Sequence, residues 1–180
     1  MADSDTLILV DREDNEIGFA PKLEAHLGSG KLHRAFSLLI FDRQGRLLLQ
    51  KRAANKMLWG GYWSNTVCSH PRKGEKTIDA AHRRLKEEIG MMSKQLAEAC
   101  TFIYQVPFGS IGGEHEFLHV YVGTSDDEPT PQSDEIESIR WVTRQELDVE
   151  MKDHPERFTP WFAMILERLQ KKRIPEGFYA

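Results

Sequence analysis

Histidine and carboxylate side chains occur in three separate segments of this chain, and both residue types bind divalent cations. Imidazole nitrogens and carboxylate oxygens together suit Mg²⁺, Mn²⁺ or a related transition metal better than a thiolate-rich zinc site. Spacing alone leaves open whether they converge on one ion, because the segments are distant in sequence and any single histidine more commonly has a purely structural role. The candidate ligands are His26, His33, His70, Glu114 and Glu116.

Cys68 is a candidate nucleophile. It lies between Val67 and Ser69 in an extended segment, two residues before His70. Side chains two residues apart on an extended segment point to the same side. Two interpretations are therefore open: Cys68 is a small buried apolar residue, or it is a reactive thiol with His70 as its base, which favours hydrolysis or acyl transfer.

Arg84 and Glu88 lie four residues apart on a predicted helix and therefore share one face. One interpretation is an exposed ion pair that contributes about 0.3–0.5 kcal/mol. The other is a magnesium–phosphate site, in which Glu88 binds the cation and Arg84 contacts a phosphate oxygen. Arg52 and Lys56, from a preceding loop, would then join the same anion pocket.

Trp161 opens the last predicted helix, within the segment FTPWF. An aromatic residue at such a position packs more often in the core. An indole that faces a pocket would instead stabilise a cation through the negative face of its ring.

The hydrophobic pattern predicts a central helix between groups of strands. The helix is predicted over 75–90, because apolar residues recur at helical spacing and Gly90 stands where a C-cap is expected. The candidate histidines and glutamates are predicted to lie in loops, including 21–33 and 108–116. This order of elements indicates an α/β sandwich with helices on both faces of a mixed sheet. The predicted strands are 6–11, 17–19, 35–41, 46–51, 100–106, 117–123 and 136–142, and the later helices are 144–150 and 158–171.

Composition excludes several classes of function. The chain has 180 residues and a formal net charge of −4, which argues against a nucleic-acid-binding surface. No apolar stretch approaches the roughly 20 residues that cross a bilayer, and the acidic N-terminus does not resemble a secretory signal. We expect a monomeric cytoplasmic protein with reduced cysteines. Neither the N-terminal segment nor the C-terminal RIPEGFYA has a recognisable role.

The segment 75–90, E-x7-R-R-L-K-E-E-I-G, resembles the Nudix box, G-x5-E-x7-R-E-U-x-E-E-x-G-U. Ser69 replaces the first glycine, and Arg84 replaces the glutamate of R-E-U, a principal metal ligand in Nudix diphosphohydrolases. Together with SNTVCSHP, HLGSGKLHRAFS, Tyr104, GGEHE and FTPW, these departures are similar to the type 1 isopentenyl-diphosphate Δ-isomerases, a Nudix branch. The resemblance covers nearly the whole chain.

This resemblance implies the isomerisation of isopentenyl diphosphate to dimethylallyl diphosphate through a tertiary carbocation, for isoprenoid precursor synthesis. It implies a small-molecule diphosphate substrate and a Nudix-type α/β/α sandwich. The expected organisation is one domain over 1–180, with an N-terminal strand and histidine-bearing loop (1–34), a Nudix core (35–150) and a C-terminal helix (154–172).

The resemblance also implies a role for each candidate residue. Cys68 and Glu116 would form an acid–base pair across the substrate, with Tyr104 hydrogen-bonded near Glu116. Mg²⁺ would bridge Glu88, the Cys68 backbone and the diphosphate, and Trp161 would cover the hydrocarbon end. A second divalent metal (Mn²⁺, Mg²⁺ or Zn²⁺) would be bound by His26, His33, His70, Glu114 and Glu116. The diphosphate oxygens would be bound by Lys22, Arg52, Lys56 and Arg84.

Two alternatives belong to other functional classes. A Nudix diphosphohydrolase acting on a nucleoside diphosphate derivative predicts an acidic residue at position 84, where this chain has Arg84. A non-catalytic metal- or nucleotide-binding Nudix module predicts that Cys68 and Glu116 can be replaced without loss of function.

Overall fold

The computed structural model describes residues 6–172, and within them nine strands form one mixed sheet. The N-terminal segment and the RIPEGFYA tail, to which the sequence assigned no role, lie outside the described residues at 1–5 and 173–180. The strands are β1 (Thr6–Val10), β2 (Glu16–Pro21), β3 (His33–Phe41), β4 (Leu47–Arg52), β5 (Trp63–Ser64), β6 (Val67–Ser69), β7 (Leu96–Phe108), β8 (Gly112–Thr124) and β9 (Ile136–Val142). The α-helices are α1 (Lys22–His26), α2 (Thr77–Arg84), α3 (Arg144–Asp153) and α4 (Pro160–Lys172).

Strand β3 is flanked by the strands that carry most of the candidate site residues. It runs parallel to β8 and antiparallel to β6, while β7 pairs antiparallel with β8. In this register Tyr104 pairs with Glu116, and Glu116 pairs with His33. Cys68 pairs with Ser37 on the other side of β3. Paired residues on neighbouring strands point to the same face, so the register alone brings these side chains to one side of the sheet.

Each face of the sheet packs against helices, because the residues of β3 alternate between two cores. Ala35 and Leu39 face the core that contains α4 and Leu147 of α3. Phe36 and Leu38 face the core that contains α2. The prediction of a mixed sheet with helices on both faces is confirmed. No helix within residues 6–172 is long and apolar enough to cross a membrane.

The central helix forms where the apolar spacing predicts it, although its last turn is wider than an α-helix. Helix α2 continues into a π-helical turn over Leu85–Ile89, and Gly90 then ends it with a left-handed φ of 74°. A non-glycine residue is strained at this φ, which is why glycine is common at this C-cap position. π-Helical turns inside α-helices are frequent at functional sites.

The prediction that the metal-ligand candidates lie in loops is wrong for four of the five. His26 ends helix α1 and His33 opens β3, both within the predicted loop 21–33. Glu114 and Glu116 lie inside β8 rather than in the loop before it. Glycines at the start of β8 suggested a loop, because glycine is depleted in strands. Here Gly112 allows close backbone contact: a Cβ at this position would collide with the His26 carbonyl. The glycine therefore lets α1 approach β8.

Candidate active site and metal centre

One cavity of about 640 Å³ brings together nearly all of the residues that the sequence singled out. His33 and Glu88 do not line it but are buried, with 0% and 3% of their surfaces exposed. The predicted site residues that line the cavity are Lys22, His26, Arg52, Lys56, Cys68, His70, Arg84, Tyr104, Glu114, Glu116 and Trp161.

Two of the histidines are held by backbone carbonyls in a way that fixes where their protons lie. Nδ1 of His26 lies 2.6 Å from the Lys22 carbonyl, and Nδ1 of His33 lies 2.8 Å from the Lys31 carbonyl. A carbonyl only accepts hydrogen bonds, so each Nδ1 carries a proton and donates it. In the neutral rings Nε2 is then a free lone pair, which is the tautomer that binds metals.

The free Nε2 atoms face carboxylates and one another rather than hydrogen-bond donors. Nε2 of His26 lies 2.9 Å from Oε2 of Glu114, an atom that is buried and has no hydrogen bond within the described residues. Nε2 of His70 lies 3.2 Å from that of His33 and 3.3 Å from Oε1 of Glu116. Lone pairs that converge in a buried space repel unless a cation lies between them. The donor set therefore fits a divalent metal.

The protonation states of this cluster also fit metal binding. Burial lowers the pKa of His70 to about 3, so that its ring is neutral near neutral pH. Burial raises the pKa of Glu116, but hydrogen bonding to His33 and His70 outweighs it and lowers the pKa overall. For His26, burial lowers the pKa, and the Glu114 carboxylate raises it by more. Without a metal, a proton on His26 supplies the positive charge beside Glu114. Protons and metal therefore compete for this group of ligands.

Glu116 contacts the histidine cluster with one carboxylate oxygen and Tyr104 with the other. The Tyr104 hydroxyl donates a 2.6 Å hydrogen bond to Oε2 of Glu116, while Oε1 faces His70. Burial, together with the negative charge of Glu116, raises the pKa of Tyr104 well above its ordinary value. The phenol therefore stays protonated and remains a donor to the carboxylate.

The sulfur of Cys68 lies within a buried hydrogen-bond network. It donates to Oδ1 of Asn65 at 3.2 Å and accepts from Nε1 of Trp161 at 3.2 Å. The Asn65 amide is itself fixed, because its nitrogen donates to the Leu38 and Val67 carbonyls. Burial raises the pKa of the Cys68 thiol. The sequence analysis missed Asn65, although three successive polar residues within the strand-like segment WSNTV were a visible signal.

The described contacts do not favour the hypothesis that His70 serves as the base of Cys68. The nearest partners of the Cys68 sulfur are Asn65, Trp161 and Ser64, whereas Nε2 of His70 contacts His33 and Glu116. The Cys68 thiol and the His70 imidazole therefore take part in two separate sets of contacts within the same cavity.

The hypothesis that Arg84 and Glu88 form an exposed ion pair is wrong, because Glu88 is buried. Nη2 of Arg84 lies 2.6 Å from Oε1 of Glu88 and 3.2 Å from Oε1 of Glu135. Lys56 pairs with the other oxygen of Glu135. Burial raises the pKa of Glu88, although Arg84 opposes the shift. Glu135 is a second residue that the sequence analysis missed, because its partners are distant along the chain.

Arg52 contacts backbone carbonyls and the ring of Trp161. Together with Trp59 and Tyr104, Trp161 forms an aromatic wall. The Arg52 guanidinium donates to the carbonyls of Trp59 and Leu58, at 3.2 and 3.1 Å, and lies 5.5 Å from the ring centre of Trp161. The Trp161 ring also contacts Trp59 edge-on, at 5.1 Å, and Tyr104 at 6.2 Å. Aromatic rings and fixed cations thus share this part of the cavity.

Comparison with solved structures shows the same fold. A Deinococcus radiodurans protein has a TM-score of 0.75 at 22% identity, and the match covers 91% of this chain and 98% of that one. A MutT NUDIX hydrolase from Burkholderia pseudomallei has a TM-score of 0.62 at 23% identity, covering 77% of this chain and 98% of that one.

Sequence comparison is more specific. Residues 31–162 match the NUDIX domain. Isopentenyl-diphosphate Delta-isomerase 2 of Aromatoleum aromaticum is 48% identical over 96% of this chain and 90% of its own length. The isopentenyl-diphosphate Delta-isomerase of Serratia proteamaculans is 48% identical over 91% of this chain and 90% of its own length. The chain belongs to the isopentenyl-diphosphate Δ-isomerases of the NUDIX family.

Proposed function

We propose that this protein converts isopentenyl diphosphate into dimethylallyl diphosphate. The observation that supports this most strongly is that one cavity is lined by two chemically different sets of side chains. One set is cationic, and the other consists of Cys68, Tyr104, Glu116 and Trp161; Arg52 of the first set lies against Trp161 of the second. A small diphosphate ester with a hydrocarbon end matches this arrangement. We further propose that residues 1–180 act as one domain, in a monomeric cytoplasmic enzyme.

The cationic part would bind the diphosphate. Lys22, Arg52, Lys56 and Arg84 line it and supply hydrogen-bond donors for phosphate oxygens. Glu88, together with the Cys68 backbone, would hold Mg²⁺ against the same oxygens. Binding energy from this end of the substrate, which does not react, positions the reacting carbons.

At the other end, Cys68 and Glu116 would exchange protons with the substrate. Moving the double bond by one position requires protonation at one carbon and loss of a proton from another, so two acid–base groups are needed. Cys68 on β6 and Glu116 on β8 line the same cavity from opposite sides of β3. Tyr104, which donates to Glu116, would hold that carboxylate in place.

The intermediate is a tertiary carbocation, which water would capture. Trp161 is 3% exposed and packs against Trp59 and Tyr104, so the hydrocarbon end would be enclosed by rings. The negative face of an indole stabilises a cation without forming a bond to it. Exclusion of water from the site protects the intermediate.

The histidine and glutamate group would bind Mn²⁺, Mg²⁺ or Zn²⁺. The bound ion would supply positive charge beside Glu116, which keeps that carboxylate ionised and oriented. His26 and His33, held by their backbone hydrogen bonds, would present Nε2 to the ion.

A direct test is to incubate the purified protein with isopentenyl diphosphate and Mg²⁺, and to measure the allylic isomer and free phosphate together. We expect the isomer without phosphate release, and loss of the isomer in Cys68→Ala and Glu116→Gln. Cys100→Ala is the control, since Cys100 is the other free cysteine and does not line the cavity. Phosphate release from nucleoside diphosphate derivatives, with no isomer, would instead support a hydrolase. Neither product would support a binding module.

A further inference from the structure

Glu135 places a carboxylate inside the part of the cavity that binds anions. It lines the cavity together with Lys56 and Arg84 and contacts both of them, one with each of its oxygens. Burial raises the pKa of Glu135, but the hydrogen bonds and charges of Lys56 and Arg84 together outweigh burial and lower the pKa overall, so that Glu135 is ionised near neutral pH. In the ligand-free protein both cations are thus already paired with a carboxylate in the place where a phosphate would bind.

Backbone hydrogen bonds hold Glu135 in this position. Its carbonyl accepts from the Ala53 amide at 3.0 Å, which ties it to the segment after β4. Gln132, three residues earlier, donates its amide proton to the Glu88 carbonyl at 2.9 Å, and Thr130 donates to the Ile89 carbonyl at 2.7 Å. The segment is therefore fastened to the end of the helix that carries Arg84 and Glu88. These bonds hold the backbone at Glu135 in place, and the ion pairs with Lys56 and Arg84 hold its carboxylate in the pocket.

A fixed carboxylate affects two forms of a diphosphate differently. Metal-free diphosphate has a high negative charge, is repelled by Glu135 and must compete with it for Lys56 and Arg84. The magnesium complex is less negative, and its cation is attracted to Glu88 and Glu135. A pocket without Glu135 would keep both cations and lose the part of this discrimination that Glu135 contributes.

We propose that Glu135 makes the pocket selective for the magnesium complex of a diphosphate over metal-free diphosphate. The inference rests on the proposed function, since it concerns the same substrate group. Glu135 contacts Lys56 and Arg84, the cations that would bind the substrate. A metal-free diphosphate must displace Glu135 to reach them.

The test measures binding of inorganic diphosphate by calorimetry, once with Mg²⁺ and once with a chelator, so that no turnover is involved. For Glu135→Gln we expect the ratio of the two dissociation constants to fall by about 10-fold, chiefly because metal-free diphosphate binds more tightly. Glu137→Gln is the matched control. Glu137 pairs with Lys51 at 2.7 Å on the neighbouring strand but does not line the cavity, so its ratio should equal that of the unaltered protein.

An unchanged ratio in Glu135→Gln, or weaker binding of metal-free diphosphate, would overturn the inference, because Glu135 would then only position the two cations. Glu135→Ala is measured in parallel, and thermal unfolding shows that each variant is folded. Failure of the proposed function has a different signature: isopentenyl diphosphate would not be isomerised, whatever the calorimetric ratio.

Discussion

The indole N–H of Trp161 donates a hydrogen bond to the sulfur of Cys68, across 3.2 Å. This contact joins helix α4 to strand β6, which are far apart in the sequence. The same ring packs edge-on against Trp59. Trp161 is therefore a hydrogen-bond donor to the thiol as well as part of the aromatic wall.

Trp161→Phe should separate these two roles, because phenylalanine keeps an aromatic ring and lacks the donor. One lost hydrogen bond of about 1 kcal/mol corresponds to a decrease of roughly 5-fold in kcat, with a smaller effect on KM. Trp161→Ala should lose more, since the ring is also removed. Steady-state isomerisation kinetics measure both. Trp141→Phe, at a partly buried residue that packs against the core on the other face of the sheet, is the control and should leave kcat unchanged.

Tyr104→Phe should reduce kcat by about 10- to 100-fold, because a hydrogen bond to a charged partner contributes about 1.5–3 kcal/mol. The phenol is the donor that holds Oε2 of Glu116. Kinetics at saturating substrate provide the measurement. Tyr62→Phe, which removes a hydroxyl from a tyrosine outside the cavity, is the matched control. Equal effects of the two changes would contradict a role for the Tyr104 hydroxyl.

Addition of a divalent metal to chelator-treated protein should raise the melting temperature. Binding at a ligand concentration 100 times Kd contributes about 2.7 kcal/mol, or roughly 5–10 °C for a chain of this size. Thermal unfolding with Mn²⁺, Zn²⁺ and Mg²⁺ would rank the ions. His26→Gln should abolish most of the shift, whereas His154→Gln, which alters an exposed histidine far from the group, should keep it. A full shift in His26→Gln would refute this assignment.

Glu75→Gln should destabilise the protein in a pH-dependent way. Arg83 donates to both oxygens of Glu75, at 2.7 and 2.8 Å, and this hydrogen bonding lowers the pKa of the carboxyl. The stabilisation is present above the ordinary pKa of 4.5 and is lost as pH falls through the lower pKa of the folded state.

We therefore expect a loss of about 0.5–1 kcal/mol in the free energy of unfolding near neutral pH, because this pair is partly exposed and therefore screened by solvent. Urea unfolding at several pH values should show the difference from the unaltered protein shrinking in acid. Glu167→Gln, which removes the exposed pair with Lys171, should have a smaller effect. A constant difference at all pH values would mean that the ion pair is not the cause.

The sequence predicted those features that depend on neighbours along the chain. The helix over 75–90 follows from apolar spacing, and its Gly90 cap follows from the need for a positive φ. The shared face of Arg84 and Glu88 follows from helical geometry, but their burial depends on a distant segment and was not visible. The sequence comparisons support the resemblance that motif order suggested.

What the sequence did not predict depends on tertiary contacts. Glu114 and Glu116 lie in a strand despite the glycines before them, because Gly112 packs against the backbone of α1. Glu135 gave no local signal, since its partners lie 51 and 79 residues away. Asn65 became recognisable only once the register of β6 on β3 placed it beside the Cys68 sulfur.

The π-helical turn Leu85–Ile89 has a consequence for how this chain can evolve. Deleting one residue from it would restore α-helical hydrogen bonding and rotate the residues that follow by about 100°. Glu88 and the carbonyls that fasten the segment before Glu135 would be displaced from their present positions. Natural variation can exchange side chains in this segment one at a time, but an insertion or deletion there would displace Glu88 and the segment before Glu135 in a single step.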